Sequence, residues 1–307
     1  MAGKKGRGIG FYLVYGFFYL IALLPFWVLY LLSDLMFVLI YHVARYRRKV
    51  VHKNLVNSFP EKDVKEIKAI EREFYRHFGD YFVETIKLLR VSEKEIRKRM
   101  VFTNPEVVND LSAEGKTCFM SMGHYANWEW VTSMGLQLLP EAEQGLIYKR
   151  LSSRAFDELF LEIRSLFRPR PIEMRSIYRT IIQNRKEGRV MVIGFLNDQR
   201  PRPHKDEHWV TFLNQETLTQ TGMERIAAQS GYAVVYLDLK KVKRGHYEGT
   251  YSLITKDASQ EGQYFVTDMY TKKLEETIKR DPAYYLWTHN KWSRKRRPEM
   301  ELKELSV

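Results

Sequence analysis

Uncharged, largely apolar side chains fill residues 9–32 without a break, and a second apolar stretch, LMFVLIYHVA, follows at 35–44. The first run has 24 residues, which exceeds the ~20 that a helix needs to cross a bilayer. Pro25 predicts a kink or a helix–turn–helix at 24–26. The pattern predicts a membrane anchor over residues 1–46, either one tilted span or a half-inserted hairpin. A buried hairpin in a soluble protein is the weaker alternative, because aromatic side chains cover every face.

Positive charges flank this segment unequally. The larger cluster follows the segment, and positive residues favour the cytoplasmic side of a membrane, which predicts a cytosolic globular part. The residues concerned are Lys4, Lys5 and Arg7 before the segment and Arg45, Arg47, Arg48, Lys49 and Lys53 after it.

Beyond the anchor, the hydrophobic period alternates between that of helices and that of strands. A helix is predicted from Asp63, which forms a capping pair with Glu66, and its apolar residues recur at three- and four-residue steps to Phe82. The alternation predicts an α/β domain at 47–297 with a mixed, largely parallel sheet flanked by helices, and a charged tail at 298–307. An antiparallel arrangement is open for the last two strands. Strands are predicted at 117–122, 145–149, 189–197, 232–240 and 247–254, and helices at 126–138, 153–167, 175–187, 217–230 and 262–280.

The amino-acid composition narrows the range of expected binding partners. The formal net charge is +13, which predicts an anionic partner such as an acidic membrane, an acidic protein or nucleic acid. The lone Cys118 excludes an internal disulfide and a multi-cysteine zinc site, and its apolar neighbours predict a buried, inert thiol. His204 and His208 flank two acidic residues, but no third ligand has matching spacing, so no metal is predicted.

Candidate chemistry appears where the strand TCFMSM ends in Gly123-His124, with Glu129 five residues further on. On a continuous helix these two side chains would lie about 140° apart. With His124 in the turn before the helix, they can form a dyad in which the carboxylate orients the ring as a general base. No G-x-S-x-G motif supplies a serine, so the proton is expected to come from a substrate alcohol. The alternative is a loop-capping histidine and a solvated glutamate.

A second strand, VMVIGFL, delivers Asp198 and Gln199 to the same predicted sheet edge, although Asn-Asp is also common at simple strand exits. Lys149 and Arg150 end another strand, and Arg164 follows on the next helix; arginine at such a cleft suits an anionic ligand. The candidate substrate-binding residues are Asn127, Lys149, Arg150, Arg164, Asp198 and Gln199.

Five blocks in order resemble the bacterial lipid A late acyltransferases, the lauroyl/myristoyl acyltransferase family: RYRRKVVHKNLVNSFPE, GHYANWEW, YKRLSSRAFDELFLEIR, FLNDQRP and AYYLWTHNKWSRKRRP. WEW and HWVTFLNQETLTQTGMERIA resemble the branch of Bacteroidetes-type bacteria. The resemblance implies a glycerolipid acyltransferase-like fold at the cytoplasmic face of the inner membrane. It implies transfer of an acyl chain from acyl carrier protein or acyl-CoA to a hydroxyl of an anionic glycolipid, a lipid A precursor or a related glycolipid. No cofactor or metal is expected.

The resemblance also implies roles for individual residues. His124 matches the general base and Glu129 its partner, while Arg164, or alternatively Arg168, and Asp198 match further site residues. Related glycerolipid acyltransferases carry aspartate where this chain has Glu129, so a lysophospholipid or aminolipid O-acyltransferase remains the alternative enzyme. The alternative outside enzymology is a membrane-tethered basic binding protein. Nucleic acid is not an expected partner, because no known nucleic-acid motif is present.

Overall fold

The computed structural model describes residues 7–167, 169–201 and 207–296. Its helices are α1 (Ile9–Leu23), α2 (Phe26–Phe37), α3 (Arg48–Ser58), α4 (Val64–Lys87), α5 (Glu93–Arg99), α6 (Glu106–Ala113), α7 (Arg154–Arg164), α8 (Ile177–Lys186), α9 (Gly222–Ser230) and α10 (Phe265–Arg280). Its strands are β1 (Met100–Thr103), β2 (Cys118–Met122), β3 (Ala142–Tyr148), β4 (Arg170–Glu173), β5 (Val190–Leu196), β6 (Trp209–Phe212), β7 (Gln215–Leu218), β8 (Ala233–Lys243) and β9 (His246–Thr255).

The apolar N-terminal run forms two helices that are broken at the predicted place. Leu24 and Pro25 adopt extended backbone between α1 and α2, since the proline ring cannot continue the helical hydrogen bonds of α1. A π-helical turn, Val38–Val43, extends α2. The stretch Phe26–Val43 is long and apolar enough to cross a membrane by length and composition. The boundary predicted at residue 46 falls in the turn before α3, and the predicted tail at 298–307 lies outside the described residues.

Both N-terminal helices lie along the α/β domain and turn an apolar face outward. Helix α2 packs on α4, and α1 packs on α4 and α7. The opposite faces are open to the surroundings: Leu13 is 70% exposed, Trp27 66% and Leu31 59%. A hairpin buried in a soluble core does not fit this exposure.

Helix α4 begins with the predicted capping box. The Asp63 carboxylate accepts the backbone N–H of Glu66 at 2.8 Å, and the Glu66 carboxylate accepts the backbone N–H of Asp63 at 2.9 Å. The inner face of the helix carries the packing residues Ile67 and Phe74, which are 2% exposed. Because α1, α2 and α3 all pack on α4, this helix joins the apolar N-terminal face to the α/β domain.

The predicted mixed, largely parallel sheet is confirmed. Its seven strands have the order β1-β9-β8-β2-β5-β3-β4. Strands β8, β2, β5, β3 and β4 are parallel, while β9 is antiparallel to β8 and parallel to β1. Strands β2 and β5 pair directly, with Met122 opposite Leu196. The segments that follow them therefore leave the sheet side by side.

Two predicted helices differ from the structure. The helix at 126–138 is a loop followed by a 3-10 helix, Trp130–Leu136. Ala126 has a φ of 50° and donates its N–H to the carbonyl of Tyr284, which holds the chain away from helical geometry. The helix at 217–230 begins only at Gly222, because Thr217 and Leu218 pair with β6 in a hairpin. Strands β1, β4, β6 and β7 were not predicted.

Candidate functional site

His124 lies in a turn that backbone contacts hold in place. Its carbonyl accepts the N–H of Leu286 at 3.0 Å, and Tyr125 bridges Tyr285 in antiparallel fashion. Gly123 leaves β2 close to α10: a Cβ there would lie 2.5 Å from Cδ1 of Leu274, so any larger residue would require that leucine to move. The turn therefore fixes the direction in which the imidazole leaves the sheet.

Asp198 is the carboxylate that contacts the His124 ring. Its Oδ1 lies 2.6 Å from His124 Nδ1, and its Oδ2 accepts the backbone N–H of His124 at 3.0 Å. The side chain of Asp198 is 2% exposed and that of His124 14%. Burial alone would raise the pKa of Asp198, but the neighbouring His124 and then Lys291 outweigh it, and the pKa lies at about 2. The pair therefore holds an ionised carboxylate against Nδ1.

The second ring nitrogen of His124 faces Gln199. The Gln199 amide nitrogen lies 3.3 Å from His124 Nε2. With the Nδ1 proton donated to Asp198, Nε2 has a free lone pair and accepts from this amide. A substrate hydroxyl in place of the amide would meet the same lone pair.

The structure places Glu129 against Arg164 and shows no hydrogen bond between Glu129 and His124, the partner predicted for it. Both Glu129 oxygens accept from Arg164, at 2.6 Å from Nη2 and 2.8 Å from Nε, and Oε1 lies 3.4 Å from the Tyr81 hydroxyl. The bend at Ala126 turns Glu129 toward α4 and α7. Burial acts to lower the pKa of Arg164, but the Glu129 carboxylate outweighs it and the pKa is raised. The arrangement is a partly buried, bidentate ion pair.

Trp128 lies between the His124–Asp198 pair and the Glu129–Arg164 pair. Its ring stacks on Tyr81 at 4.1 Å, and the His124 ring meets it edge-on at 5.2 Å. The indole is thus a common wall for His124 on one side and, through Tyr81, for Glu129 on the other. Sequence reasoning did not single out Trp128; its place between two predicted site residues in NWEW was the available signal.

The other predicted ligand-binding residues have different surroundings. Asn127 is 1% exposed, and its amide contacts Glu84 and the backbone of Trp130. Its side chain therefore points into the protein interior. Lys149 and Arg150 are exposed at the end of β3, where Arg150 lies 3.5 Å from Glu173. Both cations lie at the carboxyl edge of the sheet. Strand β5 separates β3 from β2, so they are two strands away from His124. The alternative Arg168 and His204 lie outside the described residues.

Behind Asp198 lies a buried lysine that the sequence analysis missed. The Lys291 ammonium donates to the backbone carbonyl of Asp198 at 2.6 Å, and burial lowers its pKa to about 8. Nearby, His289 Nε2 accepts the N–H of Arg200 at 3.0 Å. These polar side chains in the otherwise aromatic AYYLWTHNKW block were the available signal. They fix the loop that follows β5 and so hold the Asp198 carboxylate in place.

No group of three or more His, Cys, Asp and Glu side chains in the described ranges could hold a metal ion. Cys118 is fully buried in β2, and burial raises the pKa of its thiol to about 12. A thiolate nucleophile is therefore disfavoured at this position.

The fold and the site define an α/β protein with a histidine–carboxylate pair at the carboxyl edge of its sheet and an outward apolar face on its N-terminal helices. The chain belongs to the bacterial lipid A biosynthesis acyltransferase family, whose sequence pattern matches residues 4–294. Membership implies an acyltransferase that uses an acyl donor and a lipid acceptor, and it favours this enzyme class over the basic binding protein. No match to the chain is found among curated proteins.

Proposed function

We propose that the protein transfers a fatty acyl chain from an acyl thioester, on acyl carrier protein or coenzyme A, to a hydroxyl of a lipid A precursor or a related glycolipid. The contact between His124 Nδ1 and Asp198 at 2.6 Å carries this proposal. It leaves Nε2 as the base that takes the hydroxyl proton, and the carboxylate stabilises the imidazolium that forms.

The reaction follows from this geometry. As Nε2 takes the proton, the acceptor oxygen attacks the thioester carbonyl and forms the new C–O bond. The C–S bond then breaks, and the departing thiolate takes the proton back from the imidazolium. Free thiol and acylated lipid are the products, and the protein returns to its starting state.

Arg164 is the cation that we assign to an oxygen of the substrate. Nε and Nη2 are used by Glu129, whereas Nη1 makes no hydrogen bond to any residue that the structure describes. A guanidinium fixed by one carboxylate can offer its remaining N–H groups to a carbonyl or phosphate oxygen. Glu129 then positions Arg164, whereas the sequence predicted that it would orient His124.

A basic groove supports an anionic partner. It has a volume of about 940 Å³, lies between α3 and the segment 290–295, and contains Lys49, Lys53, Arg294 and Lys295. Lys291, between Asn290 and Trp292 of the groove lining in sequence, donates to the Asp198 carbonyl. Positive charge here fits either proposed anionic partner, the glycolipid head group or acidic acyl carrier protein. The lysophospholipid alternative and the Bacteroidetes-type branch stay open.

The outward faces of α1 and α2 support membrane attachment, which we propose is to the cytoplasmic face of the inner membrane. The double variant Leu13→Glu/Leu31→Glu is expected to bind vesicles of phosphatidylethanolamine and phosphatidylglycerol at least about tenfold more weakly, since each buried leucine contributes about 1.5–3 kcal/mol. Vesicle co-sedimentation measures the effect. The control is Ile182→Glu, on α8, where the isoleucine is 57% exposed. Equal binding by the double variant and the control would contradict the attachment.

A substrate comparison tests the proposed function. The protein in vesicles is given acyl carrier protein or coenzyme A bearing one fatty acid, with either a lipid A precursor that has a free hydroxyl or a lysophospholipid. Mass spectrometry is expected to show one added acyl chain on the lipid A precursor, with loss of one free thioester per product. Acylation of the lysophospholipid alone would overturn the proposal in favour of the alternative enzyme.

A further inference from the structure

Glu84 of α4 is a buried carboxylate that the reaction described above does not use. It is 0% exposed and accepts hydrogen bonds from three side chains. Asn127 Nδ2 and the Tyr247 hydroxyl both donate to Oε2 at 2.7 Å, and the Tyr30 hydroxyl donates to Oε1 at 3.1 Å. Its contacts therefore join α2, α4, β9 and the loop that follows His124.

The contact with Asn127 sets the orientation of an amide inside that loop. While Nδ2 donates to Glu84, Oδ1 of Asn127 accepts the backbone N–H of Trp130 at 3.2 Å. The Trp130 indole N–H also donates to the Glu84 backbone carbonyl at 3.0 Å. Oε2 of Glu84 accepts from two donors, so it selects the amide orientation in which the oxygen of Asn127 faces Trp130. Both ends of the segment 127–130 are thereby tied to Glu84.

This segment connects the two charged pairs. His124 lies three residues before Asn127, and Glu129 lies two residues after it. Between them, Ala126 is in the left-handed region with a φ of 50°, a conformation that costs a non-glycine residue free energy unless its surroundings impose it. Tyr284 and His77 hold the Ala126 peptide directly, at 2.9 and 3.1 Å, and Glu84 fixes the next residue, Asn127.

We propose that Glu84 is a positioning residue for acyl transfer, which through Asn127 fixes the loop carrying His124, Trp128 and Glu129. The inference rests on the proposed function, because it assigns Glu84 to the base and the ion pair named there. Glu84 contacts neither the substrate nor the His124 ring. It acts by holding the backbone segment that separates His124 from Glu129.

The surroundings of Glu84 argue for a hydrogen-bonding role over a packing role. Burial, followed by the charge of Asp80, raises the pKa of Glu84 to about 7, although Tyr247 and Asn127 oppose this. The three side chains that contact its carboxyl group are neutral. An apolar side chain would fill the same volume without that desolvation cost. What it would lose is the contact with the amide of Asn127.

Four variants separate positioning from packing. Glu84→Leu and Asn127→Ala are expected to lower kcat about 100-fold with KM within threefold, the scale of a misplaced reacting group. Glu84→Gln is expected to stay within threefold of the unaltered protein, because its amide oxygen can replace Oε2 while the Tyr30 hydroxyl accepts from its NH₂. Tyr30→Phe is the matched control: it removes a bond to Glu84 on the side away from the loop and is expected to keep kcat within threefold.

Steady-state kinetics with the protein in vesicles, together with unfolding temperatures, give the readouts. A kcat loss confined to Glu84→Leu and Asn127→Ala, with rescue by Glu84→Gln, supports the inference. Normal kcat in Asn127→Ala overturns it, even if Glu84→Leu fails to fold. Equal kcat losses in Tyr30→Phe and Asn127→Ala also overturn it. His124→Ala separates a failure of the proposed function from a failure of the role of Glu84. If His124→Ala stays active, the proposed function fails. If His124→Ala is inactive while Asn127→Ala is normal, only the role of Glu84 is rejected.

Discussion

Replacing His124 with alanine is expected to lower kcat for acyl transfer by about 10²–10⁴-fold, the usual contribution of a positioned general base. The acceptor hydroxyl would then have to lose its proton to water. KM for both substrates is expected to change little, because the imidazole acts on the proton that moves in the transition state. Release of free thiol from acyl-coenzyme A or acyl carrier protein, with the lipid A precursor as acceptor, measures the rate.

A matched variant is available elsewhere in the fold. His208 also contacts an aspartate, with Nε2 at 2.6 Å from Asp268, but on the β6 side of α10. His208→Ala therefore removes a similar pair and is expected to keep kcat within about twofold, because surface substitutions cost little. Retention of more than a tenth of the activity in His124→Ala would be incompatible with a general base at this position.

Asp198→Asn is expected to lower kcat by up to about 10⁴-fold, since an amide in this place favours the wrong imidazole tautomer. The carboxylate accepts from both the backbone N–H and Nδ1 of His124. Asparagine has one acceptor oxygen; when the backbone N–H uses it, the NH₂ group faces Nδ1 and places the ring proton on Nε2. The base is then lost although the side-chain volume is unchanged. Initial rates between pH 5 and 9 measure the effect.

The pH dependence gives an independent check. The pKa of Asp198 is depressed from 3.8 to about 2, so its contribution to stability is complete above the ordinary value and is lost as pH falls through about 2. Asp198 is thus ionised across the whole assay range. A large loss of unfolding free energy as pH falls from 9 to 5 that is absent from Asp198→Asn would contradict this assignment.

The same rates can separate Asp198 from Glu129. In a double-mutant cycle, Asp198→Asn is expected to add little to the loss already caused by His124→Ala, because residues that act as a unit are not additive. Glu129→Gln is expected to cause its own further loss in the same background, since its partner is Arg164. Full additivity for Asp198 together with none for Glu129 would restore the dyad predicted from the sequence.

The repeating hydrophobic patterns in the sequence predicted the central elements of the fold. Alternating apolar runs predicted the central strands β2, β5 and β8, because buried parallel strands read as continuous apolar segments. Asp63 and Glu66 predicted the start of α4 through a purely local contact. Strands β1, β4, β6 and β7 are four residues each, too short for the hydrophobic period to stand out.

The site was predictable in part, for a physical reason. The edge of the sheet that receives His124 and Asp198 follows from parallel pairing, so both candidates could be named from their strands. Which carboxylate meets the ring depends on the backbone at Ala126, and its left-handed φ is imposed by Tyr284 and His77, which are remote in sequence. Spacing favoured Glu129 because it was near in the chain, whereas three-dimensional contact favoured Asp198.

The direct pairing of β2 with β5 has a consequence for how activity is acquired. The ring and its acid are 74 positions apart, and they meet only when those two strands have aligned along their whole length. A slip of one residue would turn the acid to the other side of the layer. Catalytic competence during refolding therefore reports the registration of the central sheet, and a chain with native helix content but misaligned strands would turn over no substrate.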